Sequence, residues 1–362
     1  MSEANTGPGD SGSPAVVNRL ANEVARTVGR VLGSADDFVL FDYPDHNNVG
    51  DSAIFLGEMA YFRQFRRRLP AYVCRADLCD FERIERRYAS SLILIHGGGN
   101  FGDVWPSTHE KRERLLDRYR GRHIVQLPQS IKFNSRDRLE RTKRSISRHG
   151  NFDLLVRDLA SYQFAVAEFD CRVTLCPDMA LCLGPLQRVG KPSHDLLMLL
   201  RRDKERAETL EPCMPPLSTG TVVADWAADD PVTRRRSKID GIGRAMFGGP
   251  ACVRDVDALR NSFYVELARK RVRRGLRLLS SGRFVITDRL HAYILCVMLG
   301  VPRAVIDNSY GKLSGFIDTW MSGEDRLRTS GNLRAALASW AERSAANDSR
   351  MKDFAGAPSR AP

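Results

Sequence analysis

Val285-Ile286-Thr287-Asp288-Arg289-Leu290-His291 reads as a short buried strand that runs out into two charged residues and a histidine. Gly282 and Arg283 lie upstream, so Phe284 alone extends the apolar run, as suits a buried strand. Ala292 to Leu299 continues as a buried helix that stops at Gly300. Arg289, Leu290 and His291 therefore fall at a strand-to-helix turn, the edge at which open α/β sheets bind ligands. A helix start offers free N–H groups and a partial positive charge, and Arg289 adds a planar fork of donors. A second strand, Pro302 to Asp307, leads through Asn308-Ser309-Tyr310-Gly311 to Lys312. Singly, each of these residues reads as a solvated cation or a helix cap. Together, at consecutive strand ends, Arg289, His291 and Lys312 indicate an anion pocket.

The same pattern recurs upstream. Asp37 to Asp42 is a strand, followed by a loop through Asn48, Asp51 and Ser52 in which Asp51 or Ser52 caps a helix over 53–65. Ala71 to Cys74 and Ser91 to Ile95 are strands. The second runs into His96-Gly97-Gly98-Gly99-Asn100-Phe101-Gly102-Asp103, a glycine loop whose backbone can approach a ligand closely. Arg122 to Leu127, closed by Pro128-Gln129-Ser130, then Phe152 to Val156 before Arg157-Asp158, and Cys171 to Leu175 before Pro177-Asp178 complete six strands. Strands alternating with helices predict a parallel doubly wound domain over 35–184. A linker over 184–193 leads to a second such domain over 185–345, with strands at 195–200 and 221–225, a long basic helix over 255–279, the two opening strands and a helix over 333–345. The expected architecture is α/β: two Rossmann-like domains with a cleft between them. Residues 1–34 form a partly disordered segment with one helix, and 346–362 a disordered tail.

Composition sets the bounds. The chain has 362 residues, 43% hydrophobic and 28% charged, which is ordinary for a folded globular protein. A net charge of +12, mostly arginine, favours acidic partners, but no nucleic-acid-binding motif accompanies it, so nucleic acid is not expected. Eight scattered cysteines without a Cys-x-x-Cys suit a reduced, cytoplasmic protein. No signal peptide or membrane-spanning run is present. The basic helix over 137–148 reads as a solvated face, with contact to anionic lipid as the lesser alternative. The histidines show no metal-binding spacing, and no metal is expected.

Taken in order, Asn48-Val49-Gly50-Asp51, the glycine stretch 96–103, Pro128-Gln129-Ser130, Val156-Arg157-Asp158, Pro177-Asp178, Leu200-Arg201-Arg202-Asp203, Asp288-Arg289-Leu290-His291 and Asp307 to Lys312 resemble the polysaccharide pyruvyl transferase family. They span about 40–320, with no strong match over 206–250. The resemblance implies a fold like that of GT-B glycosyltransferases. It implies transfer of the enolpyruvyl unit of phosphoenolpyruvate onto two hydroxyls of a hexose as a cyclic ketal, with phosphate released. Phosphoenolpyruvate is then a co-substrate, and no cofactor is needed. The implied acceptor is a lipid-diphosphate-linked saccharide, used at the inner face of the plasma membrane.

Carried over by position, Arg289, His291 and Lys312 are the implied phosphoenolpyruvate set, with Arg157 a further contact. Gly97, Gly98, Gly99, Asn100, Asn48 and His96 are implied substrate contacts on the acceptor side, the domain over 35–184. His291 is a candidate to protonate the donor, to assist phosphate departure or only to bind phosphate; Asp51, Asp103 and His96 are the candidate bases. The chemistry agrees, since a carboxylate and a phosphate both want fixed cations and N–H groups. Three rivals stand beside this reading: a sugar-nucleotide glycosyltransferase of GT-B type, an ester hydrolase built on Gly50-Asp51-Ser52 with Asp288 and His291, and a non-catalytic glycan-binding module.

Overall fold

A computed structural model describes residues 14–201, 220–226, 256–307, 311–321, 329–330 and 333–343. The expected disordered ends, Arg202 to Glu205, the 206–250 stretch and Asn308-Ser309-Tyr310 lie outside these or reach beyond them.

Two parallel sheets organise the chain. The first contains β1 (Phe38–Phe41), β2 (Tyr72–Cys74), β3 (Leu92–Ile95), β4 (Gly98–Gly102), β5 (Ile124–Lys132), β6 (Phe152–Val156) and β7 (Arg172–Leu175). Its order is β2-β1-β3-β5-β6-β7, with β4 beside β5. The second holds β8 (His194–Leu199), β9 (Thr221–Ala224), β10 (Gly282–Thr287), β11 (Arg303–Ile306) and β12 (Thr329–Ser330) in the order β12-β11-β10-β8-β9. Leaving out β4 and counting from each sheet's own first strand, the second sheet follows the order 2-1-3-4-5, that of flavodoxin-type doubly wound sheets, and the first follows the same order with a sixth strand added, 2-1-3-4-5-6. The order reverses between β1 and β3 in one sheet and between β8 and β10 in the other. Ligands bind outside the carboxyl ends at such points.

Period-two alternation sends one face of each strand inward. Val285 faces a layer of helices between the sheets, whereas Phe284 and Ile286 face the outer helix over 333–343. That inner layer comprises α1 (Pro14–Leu32), α2 (Val49–Tyr61), α7 (Val256–Ser281) and α8 (Leu290–Leu299). One continuous buried cluster joins them to Leu40 and Leu94 of the first sheet and to Leu197 and Val305 of the second. The far face of the first sheet is covered by α3 (Phe81–Arg87), α4 (Pro106–Arg118), α5 (Arg136–His149) and α6 (Leu159–Glu168).

Three local expectations change. The glycine stretch is not a loop: Gly98–Gly102 is a seventh strand, registered as Gly98 with Gln129 and Gly102 with Lys132. Pro128 does not close β5 but sits inside it, where the register shifts between Gln126 and Gln129; a residue without an N–H is tolerated at such an irregularity. The helix expected from residue 53 starts at Val49 instead. Asn48 caps it, accepting from the Gly50 N–H at 3.0 Å, and its amide donates to Asp51 Oδ2 at 2.9 Å. The basic helix α5 is laced to acidic neighbours by Arg138–Glu110, Arg141–Glu113 and Lys143–Glu168 pairs, so part of its charge is spent within the fold. No helix among the described residues is long and apolar enough to cross a membrane.

Candidate active site

A cavity of about 500 Å³ opens where the carboxyl ends of both sheets meet, within the usual range for small-molecule sites. Arg157 enters from the end of β6, Arg289 and His291 from the β10–α8 turn, and Lys312 from the first residue of α9 (Lys312–Trp320). Asn48 and Asp51 come from the start of α2, and Gly99 and Asn100 from β4. The four residues Arg157, Arg289, His291 and Lys312 expected from the sequence thus converge.

Each of the four is held by neighbouring groups. Arg157, 2% exposed, donates from Nε to Ser130 Oγ at 2.9 Å and from Nη1 to Asp178 Oδ2 at 2.6 Å. His291 Nε2 lies 3.2 Å from the same Asp178 oxygen, which therefore joins two pocket groups. Asp178 is fully buried. Burial would raise its pKa, but the charges of His291 and Arg157 and the Ala180 N–H hold it far below the usual carboxylate range. Arg289 is not an open fork: Nε and Nη2 reach Asp225 Oδ1 at 2.7 and 2.6 Å. Lys312 Nζ donates to the Gly99 carbonyl at 3.1 Å.

Two glycines make this convergence fit. A Cβ on Gly99 would stand 2.9 Å from Arg157 Nη2 and 2.9 Å from Lys312 Nζ. A Cβ on Gly50 would stand 2.5 Å from His291 Nδ1. These positions need close approach rather than unusual backbone angles; Gly98 (φ 134°) and Gly102 (φ 122°) are the residues in this stretch that need glycine's conformational freedom.

The broken backbone between β3 and β4 is satisfied by buried side chains, of which only Gln129 lies in one of the sequence motifs. Gln126 Nε2 donates to the Ile95 and His96 carbonyls, and Gln129 Nε2 to the His96 carbonyl at 3.1 Å. Arg112, 1% exposed, donates to Asn100 Oδ1 at 2.8 Å, and Gln129 does so at 3.1 Å. With that oxygen occupied twice, the Asn100 amide nitrogen is the group left for the cavity.

Asp51 lines the main cavity and also a side cavity of about 170 Å³, which Asp42, His46, His96 and Asn100 border as well. Burial would raise the Asp51 pKa, but His46, His291, His96 and Arg157 outweigh it, and the net shift is downward. Asp51 is thus a carboxylate able to accept a proton. His96 lies deeper, 2% exposed, with Nδ1 2.9 Å from Glu58 Oε2. Burial would lower its pKa, but Glu58 more than offsets that and raises it. Gly97 donates to Glu58 Oε1 at 3.0 Å, so it and His96 are held from behind by α2.

Asp103 goes elsewhere. It accepts the Asn134 and Ser135 N–H groups at 2.8 and 2.6 Å and borders neither cavity, so its position is that of a turn cap. The hydrolase constellation does not assemble either. Ser52 is 1% exposed and outside both cavities, and Asp288 accepts the Arg201 N–H at 2.9 Å while His291 pairs with Asp178. Asp178, in the Pro177-Asp178 stretch, is a site residue to which sequence reasoning assigns no role. Its importance depends on a tertiary contact across 113 residues.

The polysaccharide pyruvyl transferase family model matches residues 48–310. "Putative pyruvyl transferase EpsO" of Bacillus subtilis (strain 168) is 33% identical over 304 residues, covering 82% of this chain and 89% of that protein. Pyruvyl transferase 1 of Schizosaccharomyces pombe is 30% identical over 305 residues, covering 78% and 69%. The crystal structure of an uncharacterized Klebsiella pneumoniae protein superposes with a TM-score of 0.52 at 17% identity, over 83% of this chain and 93% of that one. That last likeness concerns the fold alone.

Proposed function

The chain belongs to the polysaccharide pyruvyl transferase family, and we propose that this transferase takes its pyruvyl group from phosphoenolpyruvate and closes it as a cyclic ketal on two hydroxyls of a hexose. The observation that carries the reading is the meeting of Arg157, Arg289, His291 and Lys312 in one cavity, with Arg157 and Lys312 against Gly99. A donor with a carboxylate and a phosphate needs several fixed cations in one cavity, and charged donors bind such oxygens most strongly.

The residues divide by side. The cations hold the donor. His291, on the donor side, is the acid: it protonates the methylene carbon, which makes C2 electrophilic. One hydroxyl attacks C2, the C–O bond to phosphate breaks, and the second hydroxyl closes the ring. Of the two hydroxyl protons, one balances the methyl group formed and the other leaves with phosphate. Asp51 borders both cavities and is the group positioned to take a hydroxyl proton, with the hexose entering by the side cavity. The GT-B-like arrangement, the lipid-diphosphate-linked acceptor and work at an anionic membrane surface belong to the same proposal. The apposed carboxyl ends of the two sheets and the net charge of +12 support them.

The test is thermal melting with phosphoenolpyruvate and, separately, with a uridine sugar nucleotide. At about a hundred times its Kd, a ligand adds about 2.7 kcal/mol, several degrees of Tm for a chain of this size. A rise with phosphoenolpyruvate, abolished in Arg289→Ala, is expected. A rise with the sugar nucleotide alone overturns the proposal in favour of a glycosyltransferase.

A further inference from the structure

Next to the side cavity, the turn after β2 carries two cysteines for which the transfer chemistry has no use. Cys74 ends β2, and the chain returns to Cys79 through a turn closed by the Leu78 N–H to the Arg75 carbonyl at 3.2 Å. Arg75 clasps Asp77 from inside the turn at 3.0 and 2.6 Å. The Asp80 N–H donates to Tyr72 Oη at 3.0 Å, which holds the returning segment against β2. Between these ties the two Sγ atoms lie 2.7 Å apart, closer than unbonded sulfurs rest. Cys74 is buried and Cys79 is half-buried, so a reagent arrives through Cys79.

We propose that Cys74 and Cys79 are an oxidation site, joined reversibly in a disulfide by a low-molecular-weight disulfide of the glutathione type. The Cys79 thiolate attacks the reagent's S–S bond, expels one thiol and leaves a mixed disulfide. Cys74 gives up its proton, its sulfur attacks Cys79 Sγ, and the second thiol leaves. The protein loses two hydrogens and the reagent gains them. The order follows exposure, and burial pushes the Cys74 thiol well above its ordinary pKa, which suits it to the resolving step rather than to first attack.

The cross-link has a reason to matter. Arg75, Ala76 and Asp77 form part of the side-cavity wall together with His46 and Asp51. Arg75 Nη1 also donates to Asp45 Oδ2 at 2.7 Å and so anchors the loop that carries His46 and Asn48. Oxidation staples this wall in the position described, and reduction leaves it held by non-covalent contacts alone. The site stands whether or not phosphoenolpyruvate is the donor.

The experiment uses the full chain, reduced, freed of reductant, incubated with oxidised glutathione and then alkylated under denaturing conditions. Of the eight cysteines, six should take up reagent. Peptide mapping should recover Cys74 linked to Cys79, lighter by two hydrogens than the thiol pair, and Tm should rise by several degrees over the reduced protein. Cys74→Ser and Cys79→Ser should each abolish the link and the rise, while the mapping of the unaltered chain depends on no variant's folding. Alkylation of all eight, a stable glutathione adduct at Cys79, or a link to any other cysteine overturns the proposal.

Discussion

Gly99→Ala tests why the site is built around a glycine strand. The φ of Gly99 lies outside the left-handed region, so alanine adds no backbone strain there. The cost is steric. The new methyl would meet Arg157 Nη2 at 2.9 Å, Lys312 Nζ at 2.9 Å and Lys312 Cε at 3.3 Å. Arg157 cannot retreat, because Ser130 and Asp178 hold its guanidinium and Trp320 Nε1 donates to its carbonyl at 2.8 Å. Lys312 can swing away, but only by releasing the Gly99 carbonyl. Overpacking of this kind costs about 1–3 kcal/mol. Expressed in donor binding, that is about 5- to 150-fold in Kd for phosphoenolpyruvate, at tenfold per 1.4 kcal/mol. Calorimetric titration measures it. Gly121→Ala is the control: its φ is 75° and a Cβ there meets nothing within 4 Å, so it should lower Tm and leave donor affinity alone. Wild-type affinity in Gly99→Ala, with unchanged melting, would refute the packing argument.

Other perturbations separate neighbouring roles. Asp178→Asn takes away the carboxylate shared by Arg157 and His291 and should cost about 3–5 kcal/mol, as breaking buried pairs does. The Asp178 folded pKa lies below its unfolded value of about 3.9. The stability it contributes is therefore present above about pH 4 and lost as pH falls below, so the variant should melt with a shallower acid limb, and an unchanged limb would contradict the assignment. Asp288 works in the opposite sense: burial raises its pKa to about 6, so the folded state binds a proton that the unfolded chain has released between about pH 4 and 6. Its contribution is present below about pH 4 and lost as pH rises through 6, at a cost of about 3 kcal/mol. Asp288→Asn should accordingly raise Tm more at pH 8 than at pH 5, and equal shifts would count against the protonated form. Asp103→Ala should lower stability by about 1 kcal/mol, the usual worth of a lost cap, with turnover kept; a fall in kcat at unchanged Tm would return it to the list of bases.

Strand ends were legible in the sequence because burial writes them plainly: an apolar run such as Phe284 to Ile286 stops where Asp288 and Arg289 begin. That placed Arg157, Arg289, His291 and Lys312 on ligand-binding edges. Gly98–Gly102 was illegible as a strand because glycine has no side chain to alternate. It pairs only because β5 extends past Pro128 and two buried glutamines satisfy the interrupted carbonyls. Asp225, which takes Arg289, lies 64 residues away, and Asp178, which ties Arg157 to His291, lies 113 residues from the histidine. Neither spacing is periodic, so no pattern of helix or strand reveals it.

These tertiary ties decide what kind of site it is. Pairing Arg157 with Asp178 and Arg289 with Asp225 spends attraction that a free cation would offer an anion. What remains is fixed geometry, and fixed donors need no reorganisation as charge develops. The two halves of the cavity are keyed together in the same way. Gly50 on α2 lies against the His291 ring of α8 so closely that a Cβ there would overlap it, and one buried cluster fills the helix layer between the sheets. A cleft that opened by hinging would break both contacts. The Asp51 carboxylate, one residue beyond Gly50, and the His291 imidazole are therefore held in register by the core itself.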